Sequence, residues 1–264
     1  MMLKVGVALV LLVVLLSALA PFIAPYDPTK RAGGPLSPPG PTHFFGTDNL
    51  GRDVFSRVLY GGQVIIGISL LATLFSAAAG FTLGMFSGYV GGRVDRGLNM
   101  VMDSMYAFPS LILAIAIASV LGPSPLNAAL AIGVVYVPTY FRMARNETMV
   151  VKSSLFVEAA VALGAPRWRI VFRHILPNLV PSLVVVATIN IADAALTESA
   201  LAFFGYTVTP PTPDWGLDLS SARSYIVNGS WWLLTPGAFI VITALGFSLL
   251  GEGLGEKMGK KETF

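Results

Sequence analysis

The sequence predicts an all-α membrane protein with six transmembrane helices. Its mean hydropathy is +0.74, and only 12% of its residues are charged, about half the share found in an ordinary soluble domain. Six separate apolar stretches each approach the 20 or so residues that a helix needs to cross a bilayer. There is no cysteine and only two histidines, far apart at His43 and His174, so neither a disulfide nor a metal site is predicted.

The six predicted spans follow one another with short connections. They cover roughly residues 5–24, 63–87, 99–121, 126–144, 179–204 and 232–253. The first also resembles a secretory signal, with Lys4 before the apolar stretch and "SALA" before Pro21. We expect it to be retained, because its apolar stretch is long for a signal core and a proline directly after Ala20 disfavours cleavage.

The distribution of basic residues predicts the orientation. With the N-terminus inside, twelve Lys and Arg residues fall on the inner side and five on the outer side, as the positive-inside rule requires. Both termini are then cytoplasmic, and residues 145–178 form the largest cytoplasmic loop. Residues 25–48 and 205–230, both rich in proline, are expected to be external. The net charge of +3 is explained by this orientation signal, so no nucleic-acid partner is predicted.

Two sets of residues within the spans stand out. The first is a stripe of small residues at every fourth position of the second span, which predicts close packing of helices in lipid, unless it is chance in a Gly- and Ala-rich chain. It consists of Ala72, Ser76, Gly80, Gly84 and Gly88. The second is a polar face of the fifth span, formed by Asn190, Asp193 and Thr197, with Glu198 pointing elsewhere. These polar groups either pair with neighbouring helices or line a wet pathway, and the sequence leaves both readings open.

The loop at 145–178 predicts a helix-turn-helix. Ser153 or Ser154 could cap a first short helix, Gly164 suits the left-handed turn that ends it, and Pro166 suits the first turn of a second helix. Pro177 is expected to separate this loop from the fifth span. The second helix would place Trp168, Val171, Phe172 and Ile175 on one side and Arg169 and Arg173 on the other. The alternative is an amphipathic hairpin lying on lipid headgroups.

The same loop carries a family resemblance. Glu158-Ala159-Ala160, then Gly164, then Leu176-Pro177 resembles the cytoplasmic loop signature of permease subunits of ATP-binding-cassette importers. The usual isoleucine two positions before the leucine is His174 here, and "RHILPN" is similar to the dipeptide/oligopeptide branch. Further matching segments are "FGTDNLGRDVFSRVLYG" (45–61), "GYVGGRVDR" (88–96), "AFPSLILAIA" (107–116), "TESALAFFG" (197–205), "PPTPDWG" (210–216) and "LLGEGL" (249–254). Together they cover roughly residues 43–256 and resemble the second of the two permeases in such importers.

The resemblance implies a type I importer permease fold in a prokaryotic plasma or inner membrane. It implies pairing with a homologous permease, two ATPase subunits beneath that bind ATP and Mg²⁺, and an external solute-binding protein, with no cofactor in this chain. Residues 1–62 would form an N-terminal helix with its external segment, and residues 63–264 the core permease. The loop would dock on an ATPase through Glu158, Ala159, Ala160, Gly164, Ala165, Pro166, Arg167, Arg169, Leu176 and Pro177. The expected solutes are peptides, with oligosaccharides or nickel chelates as the alternative.

Other functions fit the sequence less well. The nearest approach to a phosphate loop, "GEKMGKK" (255–261), has the wrong glycine spacing and lacks the Ser or Thr after lysine. No H-E-x-x-H or G-x-S-x-G motif occurs, so no catalytic residue is assigned and the chain is not expected to be an enzyme. A proton-coupled secondary transporter that uses Asp193 is the remaining alternative, but it would leave the long cytoplasmic loop without a purpose.

Overall fold

The computed structural model describes residues 2–259, and in this part of the chain helices are the regular structure, with one isolated bridge between Thr47 and Asp53. The all-α prediction is confirmed. The helices are α1 (Met2–Ala18), α2 (Ala20–Ile23), α3 (Val54–Val90), α4 (Gly92–Tyr106), α5 (Ser110–Leu121), α6 (Pro125–Lys152), α7 (Leu155–Ala162), α8 (Arg167–Arg169), α9 (Leu176–Phe203), α10 (Trp215–Ala222) and α11 (Ser230–Gly259). A π-helical turn, Ile170–Ile175, joins α8 to α9, and a 3₁₀ turn, Arg223–Tyr225, follows α10. Lys260 and Lys261, counted above for orientation, lie outside the described residues.

The six predicted spans coincide with helices, and the chain runs back and forth between two ends of a bundle. Helices α1 and α11 are antiparallel, because Gly6 packs on the backbone of Leu250 while Gly253 packs on Leu3. Helix α11 also passes α9, with Gly251 against Ile189. The N-terminus of α1 and the C-terminus of α11 therefore lie at the same end of the bundle as residues 145–178. We call this the hairpin end.

Three helical stretches of the described residues are long and apolar enough to cross a membrane alone. They are Val54–Val90, Arg167–Phe203 and Ser230–Met258. The pair α4 and α5 would be a fourth span, but it is bent by 91°, so the third predicted span, 99–121, is a broken helix pair and not one continuous helix. Proline explains the corner: Pro109 is extended at ψ 128°, and a proline disfavours helical geometry in the residue before it.

The stripe of small residues forms the contact between α3 and α6. All five of its members are buried. A Cβ atom added at Gly80, Gly84 or Gly88 would collide with the carbonyl oxygen of Val137, Phe141 or Arg145, respectively. Partners that advance by four residues on both helices mean that α3 and α6 run parallel with their backbones in contact, as small residues allow.

The opposite end of the bundle is covered by a folded polar cap, made of residues 24–53 and 205–229. Asp53 begins α3 by accepting a hydrogen bond from the Ser56 N–H at 2.8 Å, which starts this helix nine residues before the predicted span. Arg57, 1% exposed, forms hydrogen bonds of 2.6 and 3.1 Å to the Asp218 carboxylate. The Trp215 indole donates to the Val58 carbonyl at 2.8 Å. Arg57 also donates to the carbonyls of Pro28 and Pro211 at 3.0 and 3.2 Å, so it joins the two proline-rich segments. The Arg57–Asp218 pair also links residues 1–62 to the predicted core permease at 63–264.

Candidate functional site

The candidate site is the hairpin of residues 145–178, and its first arm has the predicted turn. Ser154 occupies the N-cap position of α7, but its hydroxyl donates to the Val151 carbonyl at 2.6 Å instead of capping the helix. After α7, Gly164 adopts φ +79°, the left-handed conformation that glycine reaches without steric cost. The Ala165 N–H then donates to the Ala160 carbonyl at 3.0 Å. A Cβ atom at Gly164 would meet nothing within 4 Å, so the elbow is open.

The second arm differs from the prediction in two ways. Pro166 is the N-cap of α8 and lies before its first turn. Pro177 does not separate the hairpin from the fifth span, because the chain stays helical from Arg167 to Phe203. The turn before Pro177 widens into the π-helical segment Ile170–Ile175. Such widening lets a helix pass a proline whose ring would otherwise clash with the carbonyl four residues earlier. The second arm of the hairpin is therefore continuous with α9.

Three buried residues anchor the hairpin on the bundle, and the sequence analysis had singled out one of them, Ile175. Val157, Ile170 and Ile175 are at most 3% exposed and pack with Phe81 of α3 and Ala144 of α6. The expected apolar face of the second arm is divided: Ile175 is buried, whereas Trp168 and Phe172 are both 62% exposed. The π turn changes the helical period, so residues spaced for an ordinary helix no longer share one side.

The outer surface of the hairpin is both apolar and basic. Leu155 is 83% exposed and Leu163 is 89% exposed. Arg167 and Arg169 are exposed too, the latter lying 5.5 Å from the Trp168 ring. Of the predicted docking residues, the exposed ones are Glu158, Ala159, Gly164, Pro166, Arg167, Arg169 and Pro177, and the half-buried ones are Ala160, Ala165 and Leu176.

The three predicted pathway residues do not form one open face. Asn190 is 3% exposed and Thr197 is 8% exposed, while Asp193 is exposed. The Thr197 hydroxyl lies 2.9 Å from the Tyr136 hydroxyl of α6. Thr197 therefore pairs with a neighbouring helix. Of the three predicted pathway residues, Asp193 alone has an exposed side chain.

The polar cap holds a buried carboxyl that the sequence analysis did not identify. Asp214 caps α10 by accepting hydrogen bonds from the Gly216 and Leu217 N–H groups at 2.9 and 3.1 Å. Burial raises the pKa of Asp214, because the charged form loses its hydration. The fully buried Glu198 of α9 lies beside it. In a chain with 12% charged residues, the acidic residues of "TESA" and "PDWG" are the signal that could have pointed to this contact.

The residues do not favour a catalytic or metal centre. Among residues 2–259, no group of three or more His, Asp or Glu side chains is placed to hold a metal ion. Asp103 lies on α4 and is paired with Arg142 at 2.7 Å, whereas Asp193 and Glu198 both lie on α9, the first exposed and the second fully buried. The described residues form a helical bundle with a hairpin at one end that is anchored on it by buried apolar residues.

Comparison with known proteins places the chain in a family. Residues 80–261 match the model of the "Binding-protein-dependent transport system inner membrane component" family. The chain is 39% identical to the probable D,D-dipeptide transport system permease protein DdpC of Escherichia coli (strain K12), over 96% of this chain and 85% of that one. It is also 39% identical to the dipeptide transport system permease protein DppC of Haemophilus influenzae, over 97% and 90% of the two chains, and 36% identical to the glutathione transport system permease protein GsiD of Pectobacterium atrosepticum, over 96% and 84%.

A solved structure shows the same fold. An inward-facing form of the MetNI methionine ABC transporter superposes with a TM-score of 0.62 at 18% identity, covering 75% of this chain and 94% of that chain. The predicted type I importer permease fold is confirmed. With the family model matching most of the chain and relatives matching nearly all of it, this protein belongs to the family of binding-protein-dependent transport system inner membrane components, the permease subunits of ATP-binding-cassette importers.

Proposed function

We propose that the chain carries short peptides inward as one of two permeases in an ATP-driven importer. The observation that carries this proposal is the agreement among relatives that match at least 95% of the chain. Their names specify D,D-dipeptide, dipeptide, di/tripeptide and glutathione transport, and glutathione is itself a tripeptide. Uptake of radiolabelled dialanine into proteoliposomes, competed by unlabelled peptides but not by maltooligosaccharides or a nickel chelate, is the direct test.

The partners in this proposal are a homologous second permease, two ATPase subunits and an extracytoplasmic solute-binding protein. The family description, which names dependence on a binding protein, supports the last of them. ATP hydrolysis resides on the ATPase subunits, and this chain supplies half of the pathway. Asp193 is the residue of the polar face that lines it, because its side chain is exposed while those of Asn190 and Thr197 are buried.

The hairpin is the contact with an ATPase, and both chain termini lie on the cytoplasmic side with it. Three features support this assignment. The hairpin is continuous with a span, it is anchored from within by buried apolar residues, and it exposes Leu163, Trp168 and basic side chains at its outer surface. An apolar surface rimmed by arginines suits a partner cleft with exposed carboxylates.

Replacing Gly164 tests this contact. Gly164→Asp places a side chain and a charge at a left-handed position with open space around it, which costs roughly 1–2 kcal/mol of strain and obstructs a docked surface. We expect the reconstituted complex to lose dialanine uptake together with the stimulation of ATPase activity by loaded binding protein.

Gly122→Asp is the matched control. Gly122 also has a positive φ, +82°, and open space around it, and it lies between α5 and α6, at the end of the bundle opposite the hairpin. The control should retain both activities. Normal uptake by an assembled Gly164→Asp complex would show that the elbow is not the coupling contact.

A further inference from the structure

Helix α4 is held on the bundle by one small apolar contact and by several polar contacts. Met102 is its only buried residue. It packs on Val137 and Phe141 of α6, with the half-buried Leu98 and Met105 of α4 beside it. An element with so little buried apolar surface takes its orientation from whatever specific contacts it makes.

The most highly connected of these contacts centres on Asp95, and we call it the Asp95 joint: Asp95 and Asn99 of α4, Ser87 of α3 and Arg145 of α6. The Arg145 Nε and Nη2 atoms donate to the two carboxylate oxygens at 2.5 and 2.6 Å. The Ser87 hydroxyl and the Asn99 amide donate to Oδ1 at 2.7 and 3.0 Å. Two-pronged arginine–carboxylate pairs fix geometry as well as distance. One carboxylate thus ties three helices together.

The joint is shielded, unlike the second ion pair between the same helices. The side chains of Arg145 and Asp95 are 21% and 14% exposed, whereas those of Arg142 and Asp103 are 46% and 61% exposed. An exposed ion pair fixes the relative position of two helices only weakly, because water competes for its charged groups. A shielded pair with several hydrogen bonds fixes that position more strongly. The Asp95 joint is therefore the stiffer of the two attachments.

The joint lies between residues 155–178 of the hairpin and the corner of the bent pair. On one side, the last turns of α6 pack with α7 and the π-helical turn, since Ala144 and Val151 share an apolar cluster with Val157 and Ile170. On the other side, α4 leads to the 91° bend before α5. A displacement of the hairpin would therefore move the end of α6, where Arg145 is bonded to Asp95 of α4.

We propose that the Asp95 joint is a positioning element that makes α4 move as one body with the hairpin end of α6, so that hairpin displacement reaches the α4–α5 corner. The proposal rests on the importer function above. Arg145 and Asp95 act through helix position and contact neither nucleotide nor solute in this scheme. Loss of the joint should uncouple hairpin motion from the corner and leave docking on the ATPase intact.

Distances between spin labels test this directly, because the chain has no native cysteine. One label pair, at Ser104 on α4 and Val150 on α6, reports across the joint. A second, at Ser104 and Thr209, reports from α4 to the polar cap; all three positions are exposed. In the assembled complex, ATP with vanadate should change the 104–209 distance and leave the 104–150 distance unchanged. In Asp95→Asn, the 104–150 distance should itself respond to nucleotide. A 104–150 distance that responds in the wild type, or that stays fixed in Asp95→Asn, overturns the proposal.

Transport gives a second readout, with Asp103→Asn as the matched control on the same helix. Losing a shielded, charge-assisted pair should lower dialanine uptake by Asp95→Asn about tenfold or more, while ATPase stimulation by loaded binding protein stays within about twofold of wild type. Asp95→Glu, which keeps the charge, should recover most of the uptake, and Asp103→Asn should transport nearly normally. The proposal is overturned if Asp95→Asn loses uptake and ATPase stimulation together, or if Asp95→Asn and Asp103→Asn lower uptake equally. Failure of the importer function is distinguishable, because it would abolish dialanine uptake by the wild type.

Discussion

Glycines on α3 matter through the atoms they lack. At Gly84 the neighbouring helix approaches so closely that an added Cβ atom would collide with the Phe141 backbone. Gly67, on the same helix, has open space where a Cβ would be. The two positions share residue type and helix and differ only in what they face.

We therefore expect opposite outcomes from the same substitution at these two sites. Gly84→Leu should force α3 and α6 apart, at a cost of about 1–3 kcal/mol or more for overpacking, and should lower the yield of folded chain and its assembly with a partner permease. Gly67→Leu should be tolerated. Size-exclusion profiles and melting temperatures in detergent measure both effects, and a Gly84→Leu chain as stable as Gly67→Leu would contradict the packing derived for the stripe.

Residue patterns predicted some of these contacts and missed others. A stripe at every fourth position is visible in the sequence because one helix face repeats, and Gly164 is visible because few residues but glycine reach its conformation. The partners of Arg145 and Arg57 are not visible. Asp95 lies 50 residues before Arg145, and Asp218 lies 161 residues after Arg57, so only the folded chain reveals which carboxylate each arginine meets.

At the scale of elements, the polar cap depends on the Arg57–Asp218 pair. The two side chains are 2% and 4% exposed, and Arg57 also donates to the Pro28 carbonyl at 3.0 Å. Arg57→Gln leaves a buried carboxylate without its partner, which costs roughly 3–5 kcal/mol. Thermal unfolding should show a large drop in melting temperature.

The control for that substitution is Lys30→Gln. It breaks the Lys30–Asp27 pair, whose side chains are 79% and 42% exposed, and exposed pairs contribute roughly 0.2–1 kcal/mol. Its melting temperature should stay near that of the wild type. Equal melting temperatures for Arg57→Gln and Lys30→Gln would refute the role of the buried pair in holding the cap.

The contact between α10 and α9 should make stability depend on pH. Burial raises the pKa of Asp214 above its ordinary value, so the folded state holds this proton more tightly than the unfolded state does. The resulting stabilisation is fully present below the ordinary aspartate pKa and is lost as pH rises through the raised pKa. Melting temperature should therefore fall with rising pH, and fall less in Asp214→Asn, which keeps an oxygen to cap α10. Asp103→Asn, at an exposed carboxyl, should leave the fall unchanged; identical slopes for wild type and Asp214→Asn would contradict this assignment.

The positions of helices were predictable where the length and apolarity of a stretch determine whether it spans the membrane. They were less predictable at prolines, which can either end a helix or be accommodated within one. At Pro109 the helix is broken and the chain bends by 91°. At Pro177 the preceding π-helical turn accommodates the proline, and the helix continues. Local propensity alone treats the two prolines alike. Packing differs, since the helix residues before Pro177 are anchored by Ile170 and Ile175, while Phe108 before Pro109 is 59% exposed.

At the scale of the whole molecule, the bundle has two chemically different ends, and their assignment to the two sides of the membrane can be measured. The hairpin end carries the start of α1, the end of α11 and exposed arginines, and the other end carries the polar cap. The positive-inside rule predicts that the hairpin end is the cytoplasmic one. Single cysteines at Gly34 and Val227 should react with an impermeant maleimide added to intact cells, and one at Leu163 should react only after the membrane is opened. Val227 is a better labelling position in the polar cap than a residue such as Asp218, because Val227 is 90% exposed and Asp218 only 3% exposed.

Leu163 is 89% exposed. Its protection in intact cells would therefore come from the membrane and not from burial in the fold. Labelling of the cysteine at position 163 in intact cells would show that the orientation is the opposite one, with the hairpin on the outer side and out of reach of a cytoplasmic ATPase.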